Sequence, residues 1–512
     1  MSGARTEGPD YRPQRVNILL ITLDQFRGDC LSSAGHPLVQ TPNLDALATE
    51  GVRLARHYSQ ATPCGPGRAC LYTGTYQMNN RVVTNGTPLD ARFDNVAHAG
   101  RRAGYVPTLF GYTDQAIDPR RATGPDDPRL SDYEEILPGF EAELDLRGDM
   151  TPWVDWLRGH GHEITGSIGR TLMTESRRPA EHSHAAFMTE RAIDWLERQD
   201  GAAGPWFAHL SYLRPHPPYA AAGAWAERYD PAEVDLPIPA LSPPLHPLHE
   251  RAVATVPAPE DEAGVRRMRA QYYGMISEVD DQLGRLWAAL RDAGAWEDTF
   301  IVVTADHGDQ LGDHGLIEKM GWFEESHHIV GVVRDPRRPE AHGTAVDHFT
   351  ENVDVFPTLC EAMGIEIPAQ ADGLPLTPFL AGEDPPWWRE AAHWEYDWRD
   401  RFVGHVPVAD WPWDRRLERH HLVVLRTETH GYVQFGNGSW LCFDLVADPT
   451  WRTTTEDPAV VLPLAQAMLT WRSEHSERTM TGIVLREGGV GRWPAPHPLD
   501  QVSPARASTS RR

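Results

Sequence analysis

The stretch QATPCGPGRACLYTGTYQ, residues 60–77, sets Cys64 between two prolines and follows it with two glycines and an arginine. Structural cysteines usually sit buried among aliphatic neighbours. The turn formers here predict an exposed thiol at a helix start, with Pro66 in the first turn and Arg68 one turn along. A helix N-terminus and a nearby cation both favour negative charge. The position therefore suits a nucleophile or a bound anion, with Cys64 either an unmodified thiolate or a modified residue. A second group of residues joins it: Asp24-Gln25 and Asp306-His307 offer oxygen and nitrogen donors for a divalent cation such as Mn2+, Ca2+ or Zn2+. Single acids at strand ends often only cap helices. The run TADHGDQLGDHG, residues 304–315, is denser than capping needs, and Asp313 and His314 are expected to support the ligands. Just beyond it stands Lys319, the only lysine in a chain whose other basic residues are arginine, and this placement marks it for catalysis.

These residues need a frame that brings them together. VNILLITL (16–23) and TFIVVT (299–304) are continuous apolar runs ending at Asp24-Gln25 and just before Ala305-Asp306-His307. VPTLFGY (106–112) and WFAHLSYL (206–213) likewise deliver Tyr112-Thr113-Asp114 and Arg214-Pro215-His216 at or beyond their ends. Such runs read as strands buried on both faces, the pattern of a parallel sheet. Helical periodicity between them, in TPNLDALATEGVRL and from Met268 onward, gives the α/β class, a large mostly parallel sheet sandwiched by helices. Ligands in such sheets bind beyond the carboxyl ends of the strands.

The expected organisation is a catalytic α/β domain over 1–414, with an irregular Pro/Gly-rich insertion at about 120–185 bordering the site. A small antiparallel sheet with a helix follows over 415–490, then a tail over 491–512. A formal net charge of -25 argues against nucleic acid and anionic membranes as partners. The N-terminal apolar run is too short for a membrane span and lacks a signal-peptide pattern, so the protein is expected to be cytoplasmic. Five scattered cysteines predict reduced thiols.

Cys64-Gly65-Pro66-Gly67-Arg68, continuing to Thr73-Gly74, resembles the type I sulfatase signature C-x-P-x-R followed by T-G, within the alkaline phosphatase superfamily. The resemblance extends over most of the chain, through the strand ending at Asp24, the strand before His216, TADHGD and FDLVADP. Asp24-Gln25 and Asp306-His307 stand where arylsulfatases carry two acids and an Asp-Asn pair. Both differences, with LFGYTDQAIDPR and HWEYDWRD, look like the phosphonate monoester hydrolase/phosphodiesterase branch.

The resemblance implies that Cys64 is oxidised to formylglycine by a formylglycine-generating enzyme and hydrates to a diol. Asp24, Gln25, Asp306 and His307, with residue 64, would hold the metal, and one hydroxyl would attack phosphorus. Arg68 would steady the diol, Asn85 and Tyr112 would hold the transferring oxygens, Lys319 would bridge nucleophile and substrate, and His216 would protonate the leaving alcohol. The second hydroxyl would then expel the product by carbon-oxygen cleavage. A threonine is expected two places after Tyr112. Asp114 stands there instead, so the substrate contact falls to the adjacent Thr113, and an anion beside an anionic ester is costly. The expected substrate is a small anionic ester, a phosphonate monoester or phosphodiester, with promiscuity toward sulfate and sulfonate esters. The alternatives are a sulfatase and, more remotely, an inactive anion-binding relative, against which the intact site set argues. A single lysine suits monoanionic esters. Trp387, Trp388, Trp394, Trp398, Trp411 and Trp413 read as packing or a subunit interface in preference to a carbohydrate platform, and a homo-oligomer, tetramer or dimer, is implied.

Overall fold

NILLITL forms β1 (Asn17–Leu23) in a computed structural model that describes residues 15–199, 204–398, 419–478, 480, 481, 483–486 and 489–492. Its side chains alternate between two cores: Ile18 and Leu20 face one, Leu19, Ile21 and Leu23 the other. Both faces are apolar because both are covered. On one side lie the helices Pro42–Thr49, His184–Glu197 and Glu262–Asp292; on the other lie Cys64–Thr73, Val96–Arg102 and Val355–Ala362.

The other strands of the main sheet are β2 (Val52–Tyr58), β3 (Pro107–Gly111), β4 (Glu141–Asp145), β5 (Phe207–Tyr212), β6 (Thr299–Thr304), β7 (Gly331–Arg334) and β8 (Thr344–Glu351). Their order is β4-β3-β5-β1-β6-β7-β2-β8, and β7 alone runs antiparallel to its neighbours. The four runs read from the sequence are therefore the four consecutive strands β3-β5-β1-β6, all parallel. Their carboxyl ends open on one place.

A second sheet holds β9 (Ala391–Asp397), β10 (His421–Thr427), β11 (His430–Phe435) and β12 (Trp440–Asp444), all antiparallel, with the helix Pro458–Glu474 against it. It takes its edge strand β9 from before residue 415, where the sequence reading began the small sheet. The reason is register: Ala391 to Asp397 pair one by one with Thr427 to His421.

Two further readings change. The helix expected through Leu54 ends at Thr49, because Gly51 brings the chain against β7; a Cβ there would lie 2.7 Å from the Val333 carbonyl oxygen. Val52 then begins β2. The segment 120–185 is not irregular throughout: it contains β4 and the helices Thr151–Gly159 and Ile168–Met173. The five cysteines are all free and buried. Trp388, Trp394 and Trp398 are buried and Trp387 is exposed, while Trp411, Trp413 and nearly all of the 491–512 tail lie outside the described residues. Among the described residues no helix is long and apolar enough to cross a membrane.

Candidate active site

The helix Cys64–Thr73 starts at the cysteine itself. Its first turn leaves backbone N–H groups without intrahelical partners. One of them, at Gly65, donates to the Asn85 carboxamide oxygen at 2.8 Å. Gly67 has a steric reason: a Cβ would meet the Asp306 carbonyl oxygen at 2.5 Å and that of Ala61 at 2.9 Å. Gly74, at φ 65, closes the helix with a left-handed cap on Cys70. The helix N-terminus is thus pressed against the end of β6.

Asp24, Cys64, Asp306 and His307 bring one ligand atom each to within 4.8 Å of one another, all buried. The Nδ1–H of His307 donates to the Gly308 carbonyl at 3.0 Å, which turns the Nε2 lone pair into the cluster, 3.3 Å from Cys64 Sγ. Burial, and after it the charge of Lys319, push the His307 pKa well down, so the ring is neutral. Asp24 Oδ2 accepts from Tyr112 Oη at 2.6 Å and Arg68 Nη2 at 3.1 Å, whereas among the described residues Oδ1 has only the His307 ring at 3.8 Å and the thiol at 4.0 Å beside it. Two carboxylates, a neutral imidazole and an under-used carboxylate oxygen are a donor set that fits a divalent cation.

Gln25 sits at φ 70, a backbone strained for a non-glycine residue and fixed by its own N–H on Asp306 Oδ1 at 3.1 Å. Its amide nitrogen donates to Asp309, which also accepts from Tyr219. The carboxamide oxygen is therefore aimed at Lys319 Nζ, 2.7 Å away. Lys319 in turn donates to His216 Nε2 at 2.9 Å, while His216 Nδ1–H donates to the Pro217 carbonyl at 2.7 Å. Burial opposes the lysine charge, yet Cys64, Asp24, Glu318 and Asp306 together raise its pKa. Burial and the lysine lower that of His216. The proton of this pair rests on Lys319.

Arg68 is fully buried and spends its donors on protein: Nη2 on Asp24, Nε on Asp306 Oδ2 at 2.9 Å, Nη1 on Ser211 Oγ at 2.7 Å. Its guanidinium lies 4.5 Å from the Tyr112 ring centre. Of the supporting residues, Asp309 stands in the dense run 304–315 read from the sequence, whereas Ser211 and Tyr219 carry no signal that separates them from ordinary polar residues.

Several expectations are corrected. Cys64 is buried, at 5% exposure, because the glycines that read as a turn serve close packing. Burial and the charge of Asp24 raise its thiol pKa well above the ordinary value, so an unmodified thiolate is disfavoured. Tyr112 donates to Asp24 and Asn85 accepts from the Gly65 N–H, so besides the substrate contacts expected of them both also hold the site together. Thr113 turns away: its hydroxyl donates to the Glu135 carbonyl and accepts from Leu137 N–H, each at 2.9 Å. Asp114 lies 3.4 Å from Arg68 Nε, and burial raises its pKa to about 8, so the feared anion is protonated at neutral pH. Asp313 binds Arg27 and Arg269, each at 2.7 Å, and His314 stacks on Phe323, which places both in the scaffold beyond Asp309.

The Sulfatase family model matches residues 16–365. The chain belongs to the sulfatase family. As a sulfatase-family protein it is an ester hydrolase, and residues 312–469 also match the model for the C-terminal part of N-sulphoglucosamine sulphohydrolase. It is similar to the multifunctional alkaline phosphatase superfamily protein PehA of Trinickia caryophylli, 38% identical over 504 residues, covering 91% of this chain and 97% of that protein. Choline-sulfatase of Rhizobium meliloti is 28% identical over 495 residues, covering 94% and 90%. Among solved structures, the phosphonate monoester hydrolase of Agrobacterium radiobacter superposes with a TM-score of 0.87 at 41% identity, covering 93% of this chain and 99% of that one.

Proposed function

We propose that this sulfatase-family hydrolase cleaves phosphonate monoesters and phosphodiesters, with a formylglycine derived from Cys64 as nucleophile and one divalent cation, Mn2+ in preference to Ca2+ or Zn2+. The observation that carries the reading is the division of charge in the site. Arg68 is saturated by Asp24, Asp306 and Ser211, which leaves Lys319 as the side-chain cation beside Cys64 that is bonded to no carboxylate, among the described residues. One such cation matches a monoanionic ester better than a phosphate monoester dianion. Sulfate monoesters are monoanions too, so a sulfatase activity is the second reading, favoured by the likeness to choline-sulfatase. The higher identity to a phosphonate monoester hydrolase ranks the first above it.

Asp24, Asp306 and His307 would hold the cation, with Gln25 and residue 64 beside them; when bound it screens the charge of the substrate and acidifies the attacking hydroxyl. Arg68 keeps the two carboxylates in register. Lys319 and His216 hold one proton between them, and the departing alcohol takes it as its bond to phosphorus breaks. A formylglycine-generating enzyme would be the maturation partner, and the burial of Cys64 is consistent with its acting before the fold closes.

The test is kcat/KM for an aryl phenylphosphonate monoester against the matching aryl sulfate, on protein co-expressed with that enzyme and supplied with Mn2+. A ratio well above one is expected. A ratio well below one makes the protein a sulfatase and removes Gln25 and His307 as marks of substrate class.

A further inference from the structure

Away from the catalytic cluster, the segment between the helices Thr151–Gly159 and His184–Glu197 lines a solvent-open pocket of about 280 Å³. Its wall carries Arg170, Arg177, Arg178 and His162, with Glu163 as the one carboxylate among its lining residues. Among the described residues none of the three arginines has a carboxylate within ion-pair distance, although acids outnumber basic residues 73 to 48 in this chain. Arg170 and Arg177 are exposed, where solvation alone accounts for an unpaired charge. Arg178 is different.

Arg178 is 9% exposed. Nη1 donates to Thr174 Oγ1 at 3.1 Å and Nη2 to the Thr171 carbonyl at 2.6 Å, which fixes the guanidinium in place. Among the described residues its buried Nε–H has no hydrogen-bond partner. A buried charge is normally paired, and a buried donor normally bonded. Glu175 is the nearest candidate, but its carboxylate is engaged by Arg214 and by the His184 N–H. Burial accordingly pushes the Arg178 pKa down, and Glu175 offsets only part of that.

We propose that this pocket is a binding site for a small phosphate-type oxyanion, distinct from the active site. The charges fit: three arginines against one glutamate leave two positive charges, the complement of a phosphate or phosphate-monoester dianion. Guanidinium forks match the oxygens of such groups bidentately. The volume lies at the lower edge of small-molecule pockets, roughly 300 Å³ and upward, so the ligand is a small ion or compact monoester. Nothing in this assignment depends on which ester the active site cleaves. The site adjoins that machinery, because Arg214, the partner of Glu175, donates to the carbonyls of His216 at 3.0 Å and Pro218 at 3.2 Å.

The test is calorimetric titration of the full-length Cys64→Ala protein, which cannot turn over, with inorganic phosphate and separately with phenyl phosphate, chloride holding ionic strength constant. Saturable binding near one equivalent beyond any at the active site is expected, weakened about tenfold or more in an added Arg170→Gln/Arg177→Gln pair. That pair is on the surface, so its melting midpoint and, in the Cys64 protein, its phosphate-free kcat/KM should stay near those of the parent. Tighter phenyl phosphate than phosphate makes an organic monoester the ligand, and the reverse makes it the free ion. Arg178→Gln should abolish the site, and where it harms folding the surface pair decides. An isotherm unchanged in the surface pair, or heat that scales with ionic strength alone, overturns the proposal.

Discussion

Arg68 and Arg178 are both buried arginines, and their surroundings are opposites. Arg68 sits where β1, β5 and β6 end, with two carboxylates, a hydroxyl and an aromatic ring around it. Arg178 sits in the 120–185 segment with two neutral acceptors, the Trp153 ring 5.7 Å from its guanidinium and, among the described residues, no carboxylate and no partner for its Nε–H. A saturated cation has nothing left for a ligand and acts as a strut, here holding Asp24 and Asp306 in register. An unsaturated one keeps its charge for something that arrives. The same contrast appears within the active site, where Lys319 bonds to the neutral Gln25 and His216 and so stays available to an anion.

The largest expected effect separates chemistry from packing at the saturated end. Cys64→Ala should lower kcat by at least about 10⁴-fold, the scale of losing a nucleophile, with the denaturation midpoint unchanged. Near-normal turnover in steady-state assays would remove Cys64 from the nucleophile role. Next comes the pair that tests the contrast directly. Arg68→Met strands two buried carboxylates and should cost roughly 3–5 kcal/mol in denaturant melts. Arg178→Gln strands none and loses two hydrogen bonds, so about 2 kcal/mol is expected. Equal costs would mean that Arg178 has a counter-charge after all, and the distinction drawn between the two would collapse.

Much of this was legible in the sequence, for stateable reasons. β1, β3, β5 and β6 are buried on both faces, so each reads as an uninterrupted apolar run whose polar end marks the site. β4, EAELD, is an edge strand with three exposed residues and offers no such run. Lys319 stood out because every other basic residue is arginine. Side-chain direction was not legible: Thr113 and Tyr112 are adjacent, yet one hydroxyl reaches Glu135 and the other Asp24. Nor was the Arg178 pocket, since whether an arginine is paired depends on which acids the tertiary fold brings near it, and Glu175 is already taken.

Asp114 gives the finest test of saturation. Arg68 holds Asp24 and Asp306 at 3.1 and 2.9 Å but Asp114 only at 3.4 Å, so the third carboxylate is left with burial uncompensated. Its folded pKa of about 8 lies above the unfolded value near 3.9. Between those values the folded chain keeps a proton that the unfolded chain has released, so this group makes stability fall as pH rises from about 4 to about 8, and adds no further slope above. Asp114→Asn removes that penalty. In metal-stripped protein its stability relative to the parent should therefore be higher at pH 8 than at pH 5 in denaturant melts. An equal difference at both pH values would mean that Asp114 is ionised in the fold and that Arg68 serves three carboxylates, not two.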